Sequence, residues 1–334
     1  MTHPSRLTRR SLLAALAAAP VLAACGTSTG SGGGTTGGSS SPAGAGTTFT
    51  YTDARGKVID VTPVPTNVVA QSSAAAALWD AGIKVKGAYG ELKETDGKLG
   101  YQAGNLDPSQ VTVIGSTYSE FSVEKLATVA PQLLVDLSFD DKTLWYLDAK
   151  VEAQVAALCP TLGVHMLELD LLAVIASFTE LAVKLGADPA VSATAKADFD
   201  QASTTLTEAA KGAGTATIAA FSFDQDKAYV GNAAQNPDLA YFTKLGARFV
   251  DAKSKPEDYF STISYENLPD YAADLIIVDA RNTYTGYRDS AVWKSLPAVK
   301  AGRVFEWKAA APYSYAASVP VLQGLTQAYA SLDS

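Results

Sequence analysis

Two stretches decide the fold: residues 122–136 read SVEKLATVAPQLLVD, and residues 264–278 read SYENLPDYAADLIIV. At an offset of 142, Ser122 falls on Ser264, Glu124 on Glu266, Leu126 on Leu268, Ala130 on Ala272 and Leu133 on Leu275. Each copy opens with a Ser close to an acidic first turn, which is helix-capping chemistry. Each closes on an apolar run suited to a buried strand. A single Ser-x-Glu-x-Leu is commonplace. Two copies in the same helix-to-strand setting indicate two similar lobes.

Outward from the first copy, strands and helices alternate, the pattern of α/β layers. Strands are predicted at Asn67–Gln71, Lys84–Ala88, Val111–Ile114, Gln132–Leu137 and Gly163–Leu167. Helices are predicted at Ala74–Ala81, Val123–Val129, Asp140–Leu158 and Leu171–Leu185, with a polar loop from Gly90 to Asp107. Asp188-Pro189 then starts a long helix, Pro being free of cost at the first position. It runs to Lys211, about 33 Å at 1.5 Å per residue, and Gly212 and Gly214 stop it. The strand Ala216–Phe223 begins a second α/β set. The expected organisation is an N-terminal lobe (49–187), a single bridging helix (188–212) and a C-terminal lobe (213–334). In fold class this is α/β: two Rossmann-like lobes, one long helix between them, and a ligand cleft between the lobes.

Residues 1–24 read as a leader. Thr8-Arg9-Arg10-Ser11-Leu12-Leu13 resembles a twin-arginine export signal, and the apolar run to Ala24 is short for a ~30 Å hydrocarbon core. Leu22-Ala23-Ala24-Cys25 resembles a bacterial lipobox, which implies lipid attachment at Cys25 and a protein anchored on the extracytoplasmic face of the membrane. Residues 26–48 hold nine Gly, five Ser and six Thr among 23, with no charge. Such a chain is a flexible tether spanning roughly 25 Å. Removing Arg6, Arg9 and Arg10 with the leader takes the net charge from −8 to −11. An acidic chain argues against nucleic acid. Beyond the lipid-site cysteine only Cys159 remains, so no internal disulfide framework is expected, and with His165 the sole remaining histidine a multi-histidine metal site is excluded.

Further segments carry a family resemblance: PTNVVA (65–70), LWDAGIKVKGAYG (78–90), YFTKLGARFV (241–250), ISYENLPDYAADLIIVD (263–279) and VWKSLPAVKAGRVFEW (292–307). With the duplicated motif they resemble bacterial substrate-binding proteins of the ferric-siderophore, haem and vitamin B12 class, over essentially residues 50–334. The resemblance implies a monomeric binding protein that delivers ligand to an ABC importer, with no cofactor of its own and iron arriving only inside a ferric siderophore. It also implies that Glu124 and Glu266 meet permease arginines. The ordinary alternative for each is a helix-start carboxylate. Complementary charge of that kind steers docking more than it sets affinity.

Ligands of open α/β units sit beyond the carboxyl ends of the strands. The aromatic and cationic candidates there are Tyr89, Tyr101, Tyr118, Phe139 and Trp145 in the first lobe. In the second they are Phe223, Tyr229, Arg281, Tyr284, Tyr287, Arg288, Trp307 and Tyr313. A ferric tris-catecholate wants several converging cations. These loops offer mainly Arg281 and Arg288, with Lys142 and Lys308 as secondary candidates, so a ferric hydroxamate fits better. Haem would want an axial His or Tyr; His165 is expected in the core, and the tyrosines keep haem open, as the shared scaffold does cobalamin. An enzyme is the rival from another class. There is no Gly-rich phosphate loop after the first strand, no G-x-S-x-G elbow, and one histidine for acid–base work. A receptor without a transporter is the remaining alternative.

Overall fold

The computed structural model describes residues 47–93, 99–117 and 120–333. The leader, Cys25, nearly all of the tether and Tyr118 lie outside them. Ala45–Ser334 forms one compact unit. It opens with the antiparallel hairpin β1 (Phe49–Thr52) and β2 (Val58–Val61). Arg55 at the hairpin turn pairs with Asp53 and Glu152 and donates to the Thr161 carbonyl, fastening it to the first lobe.

That lobe is a five-stranded parallel sheet of order β5-β4-β3-β6-β7, from β3 (Val68–Gln71), β4 (Gly87–Tyr89), β5 (Thr112–Val113), β6 (Leu133–Ser138) and β7 (Thr161–His165). The second sheet contains β8 (Ile218–Phe223), β9 (Ala228–Gly231), β10 (Phe260–Ile263), β11 (Leu275–Asp279) and β12 (Val304–Trp307), in the order β10-β9-β8-β11-β12. Here β8, β11 and β12 are parallel, whereas β9 and β10 pair antiparallel. The internal repeat therefore covers the helix-start and the strand beside the central one (β6 and β11) in both lobes and stops short of the β9–β10 edge. Leu126 and Leu268 are both fully buried while Glu124 and Glu266 are exposed. The first copy is an α-helix, Val123–Thr128, capped by Ser122; the second is a 3₁₀ turn, Tyr265–Tyr271. Pro269 inside that turn has no N–H to give an α-helical bond.

Side chains of a strand alternate between faces, and the alternation here sorts them into separate cores. Val68, Ala70, Leu133, Val135, Ile218, Ala220, Leu275 and Ile277 share one continuous cluster with Phe178, Phe199, Leu206 and Leu322. Their neighbours go to the outer faces: Val69 and Leu134 beside Tyr89 and Tyr146, and Ala219, Phe221, Ile276 and Val278 beside Tyr287 and Trp293. Both lobes thus share an inner apolar layer.

Two predicted helices differ. The helix expected at Asp140–Leu158 spans only Ala149–Ala156. The Asp140 carboxylate accepts from the Lys142 and Thr143 amides, closing a turn, and Asp148 caps the helix through Lys150 and Val151. The expected single bridge (188–212) is two helices, Pro189–Ala193 and Lys196–Gly212, with the Thr194 hydroxyl bonding back to the Val191 carbonyl at the break. A C-terminal helix, Tyr315–Ala330, packs along the longer of them, with Phe199 edge-on to Tyr315 at 5.2 Å.

Before that last helix, the chain passes under the first lobe and is latched there. The Ser73 hydroxyl donates to the Ala310 carbonyl (2.6 Å), Tyr101 to Ala309 (2.6 Å), the Gln102 amide to Ala310 (3.1 Å), and Ser314 to Asp80 (2.5 Å). Ala310 is held at φ +52°, a conformation that persists in a non-glycine residue when its surroundings over-determine it. Gly104 completes the fit at φ 49°, ψ −127°. A Cβ there would lie 3.0 Å from Pro312 and 3.1 Å from Ala76. Gly104→Ala is therefore expected to cost about 2 kcal/mol of unfolding free energy, read as a lower urea midpoint with an unchanged slope.

Candidate functional site

β6 delivers Phe139 directly to the space between the lobes, and the loop after it returns Trp145, whose amide donates to the Leu137 carbonyl at 2.9 Å. Asp136 sets that loop. Its fully buried carboxylate accepts from the Leu137 amide (2.7 Å) and the Tyr146 amide (3.1 Å). Burial pushes its pKa up to about 7 against those bonds and Tyr89. From the second lobe come Tyr229, Tyr259, Phe260, Arg281 and Tyr313. Phe139 meets Tyr259 edge-to-face at 5.0 Å, and the Arg281 guanidinium lies 5.6 Å from the Trp145 ring centroid. These two contacts cross the cleft.

They stand between two chambers that share Phe139, Trp145, Tyr259 and Phe260 as walls. The outer one, about 790 Å³, is also lined by Asp140, Thr143, Asp148, Tyr229, Glu257 and Asp258. The inner one, about 220 Å³, is also lined by Asn236, Pro237, Asp238, Arg281, Ala309, Ala310 and Tyr313. Among the described residues lining either chamber, Arg281 is the only basic side chain. It is already engaged: its fork holds Asp279 at 3.0 Å (Nε–Oδ1) and 2.6 Å (Nη2–Oδ2). Burial disfavours its charge, but Asp279 outweighs burial and holds it above the ordinary arginine pKa. Asp238 accepts from the Trp307 indole N–H at 2.6 Å. Its pKa is pushed up to about 6, chiefly by burial, with the Trp307 bond opposing. Burial raises the pKa of the Tyr101, Tyr259 and Tyr313 phenols, keeping all three neutral.

Of the residues singled out in the sequence, the fold gathers Phe139, Trp145, Tyr229, Arg281 and Tyr313 around the chambers. Others are elsewhere. Tyr89 is turned under the first sheet, T-stacked on Phe121 at 4.9 Å with its hydroxyl near the Val135 carbonyl. Phe223 and Tyr287 stack at 4.0 Å against Trp293 inside the second lobe, and Tyr284 packs on the same cluster. Arg288 is exposed, its Nε bonded to the Tyr287 hydroxyl at 3.2 Å. Tyr101 gives its hydroxyl to the latch, and Trp307 lies beneath the inner chamber, bonded to Asp238. Lys308 faces a separate cavity under the C-terminal helix, and Lys142 is exposed. His165, expected in the core, is part-exposed and bonded to Asp141 at 2.5 Å, because β7 ends there.

The sequence reading missed Asn236, Asp238, Tyr259 and Phe260. They follow β9 or lead into β10, the two antiparallel strands, for which the parallel-sheet rule assigns no ligand position. The one signal available was Asn236-Pro237, a helix start.

The periplasmic binding protein family model matches residues 68–311. The structure of DesE, a ferric-siderophore receptor protein from Streptomyces coelicolor, aligns over 84% of this chain and 97% of its own, at 37% identity and a TM-score of 0.77. FhuD2 from Staphylococcus aureus with bound ferrioxamine B aligns over 79% and 98%, at 19% identity and 0.58. Fe3+–Desferal-bound FhuD from Vibrio cholerae aligns over 78% and 97%, at 18% and 0.60. The last two likenesses concern the fold alone. No curated protein sequence gives a significant match.

Asp279 is 3% exposed in its side chain and depends on Arg281 for its counter-charge. Arg281→Ala is expected to destabilise the protein by about 3 kcal/mol, since an unpaired buried carboxylate remains. Arg281→Lys, which keeps the charge but loses the fork, is expected to fall between the two in urea denaturation.

Proposed function

Because the chain belongs to the periplasmic binding protein family, we propose that it captures a ferric siderophore of the hydroxamate type outside the cytoplasm and delivers it to an ABC importer. The observation that carries this reading is the charge of the cleft. The one basic side chain among the described residues lining it, Arg281, is neutralised by Asp279, and carboxylates Asp140, Asp148, Glu257 and Asp258 line the outer chamber. A trianionic ferric tris-catecholate would meet repulsion there. A ferric trihydroxamate core is neutral, because three singly charged hydroxamates balance Fe3+, and it presents oxygen edges and apolar linkers to aromatic walls. The outer chamber is within the range of small-molecule sites, roughly 300–1,000 Å³. The relative from Streptomyces coelicolor, a ferric-siderophore receptor, supports a ferric siderophore as the ligand.

In this reading Cys25 carries a lipid that anchors the protein at the membrane, and the uncharged tether lets the binding unit reach its permease. Glu124 and Glu266, at equivalent exposed helix starts of the two lobes, dock it on permease arginines. A backbone hydrogen bond, followed by the Ser264 hydroxyl, keeps Glu266 below its usual pKa, so its charge is secure at neutral pH.

Titration of tryptophan fluorescence with a ferric hydroxamate, a ferric tris-catecholate, haem and cobalamin tests the ligand. Trp145 lies in the wall, so the hydroxamate is expected to quench at sub-micromolar concentration, about 8 kcal/mol or better. Preference for the catecholate, haem or cobalamin would overturn the assignment. For docking, Glu124→Ala with Glu266→Ala is expected to leave that affinity intact and lower cellular iron uptake several-fold. Loss of ligand binding in the double variant would remove the docking role.

A further inference from the structure

The inner chamber is too small for a whole metal complex. At about 220 Å³ it is below the usual range of small-molecule sites, and at ~30 Å³ per water it has room for about seven waters. A slender appendage of a ligand seated in the outer chamber fits it. Its chemistry is that of an acceptor-rich pocket. The Arg281–Asp279 pair is neutral overall, which leaves Asp238 as the uncompensated charge on the lining; Asp238 is 8% exposed. Asn236 directs both amide hydrogens away, to the Asn232 carbonyl (2.9 Å) and the Tyr259 carbonyl (3.0 Å), so its amide oxygen is the group left over. Tyr313, 4% exposed, makes no hydrogen bond among the described residues. Its hydroxyl feels Asp238 and Arg281, both chamber groups.

A carboxylate, an amide oxygen and a phenol oxygen match the three N–H donors of a primary ammonium. Trp145, Phe139 and Tyr259 add aromatic faces that favour a cation. We propose that the inner chamber is a subsite for the terminal primary ammonium of a linear ferric hydroxamate, with Asp238 as its counter-ion. The assignment rests on the hydroxamate reading and goes beyond it, because it separates amine-ended siderophores from neutral ones carrying the same metal centre.

The proton balance gives the subsite a pH signature. Asp238 is faced by Trp307 from β12, by Asp279 and Arg281 from the end of β11, by Tyr313, and by Tyr101 from the first lobe. Burial places its titration near pH 6. The carboxylate is ionised above that pH and attracts ammonium; below it the acid is neutral and the attraction is lost. An alkyl ammonium, with a pKa near 10.4, stays charged throughout.

The test compares ferrioxamine B, which ends in a primary amine, with its N-acetylated derivative on the full chain at pH 7.5 and pH 5. The amine complex is expected to bind about tenfold tighter at pH 7.5, ~1.4 kcal/mol, and the ratio is expected to approach one at pH 5. Asp238→Asn is expected to bring the pH 7.5 ratio toward one. Should that variant not fold, the two-pH comparison on the unaltered protein decides alone. Equal binding of both complexes at both pH values, or tighter binding of the acetylated one, overturns the subsite and leaves the hydroxamate reading in place. Binding of neither overturns both.

Discussion

The inner apolar layer shared by the two sheets is the constraint on which the rest depends. Alternate residues of β3, β6, β8 and β11 all enter it, together with the helix residues Phe199 and Leu206 and the C-terminal Leu322 and Leu325. To hinge the lobes widely apart would expose that layer to water, at roughly 25 cal/mol for each Å² of apolar surface. The latch at Ala309 and Ala310 adds a directional restraint: opening would strand carbonyls that now receive Ser73, Tyr101 and Gln102. A cleft built on such a frame is shaped before its ligand arrives. Selectivity then has to come from the chemistry of the walls.

Those walls are defined by what their charges already do. Arg281 would be a strong anion anchor were it free, but its fork is closed on Asp279 while its guanidinium lies over the Trp145 ring of the other lobe. It therefore contributes a planar surface and a rigid corner more than a net charge. Asp238 is held differently, by one indole N–H and the backbone, with burial working against its ionisation. Asp279 has the Arg281 fork as its counter-charge and Asp238 has no such partner, so the cleft as a whole leans negative.

The parts of this arrangement legible in the sequence were those with a period or a repeat. Apolar runs such as Leu133–Leu137 and Leu275–Val278 belong to strands buried on both sides and were found within a residue or two. The duplicated Ser-x-Glu-x-Leu fixed the equivalence of the lobes, and its Leu residues are both fully buried. What escaped depended on where a side chain turns after its strand ends. Tyr89 and Phe139 both sit at the ends of parallel strands, yet one folds back over Asp136 and the other enters the cleft. Nothing local in the sequence separates them. The Asp140–Leu158 segment has a helical pattern throughout, but Asp140 captures its own backbone amides and Asp148 supplies the real cap.

The limit of the repeat is itself informative. Helix-start, β6 or β11, and the flanking parallel strands recur in both lobes, and the acids proposed for docking lie in this recurring half. At the other edge the lobes part company: β4 and β5 run parallel, whereas β9 and β10 form antiparallel ribbons. The connection between β9 and β10 runs from Asn232 to Tyr259 through the helix Pro237–Lys244, and it carries Asn236–Asp238 after β9 and Tyr259 ahead of Phe260, the first residue of β10. These are the residues that make the second lobe's side of the cleft polar on the inside and aromatic at the partition. A surface that must be matched twice by one transporter would hold the repeated half to a common pattern. A cleft that binds one asymmetric ligand gains from two unlike walls, and the divergent edge is where the fold can supply them.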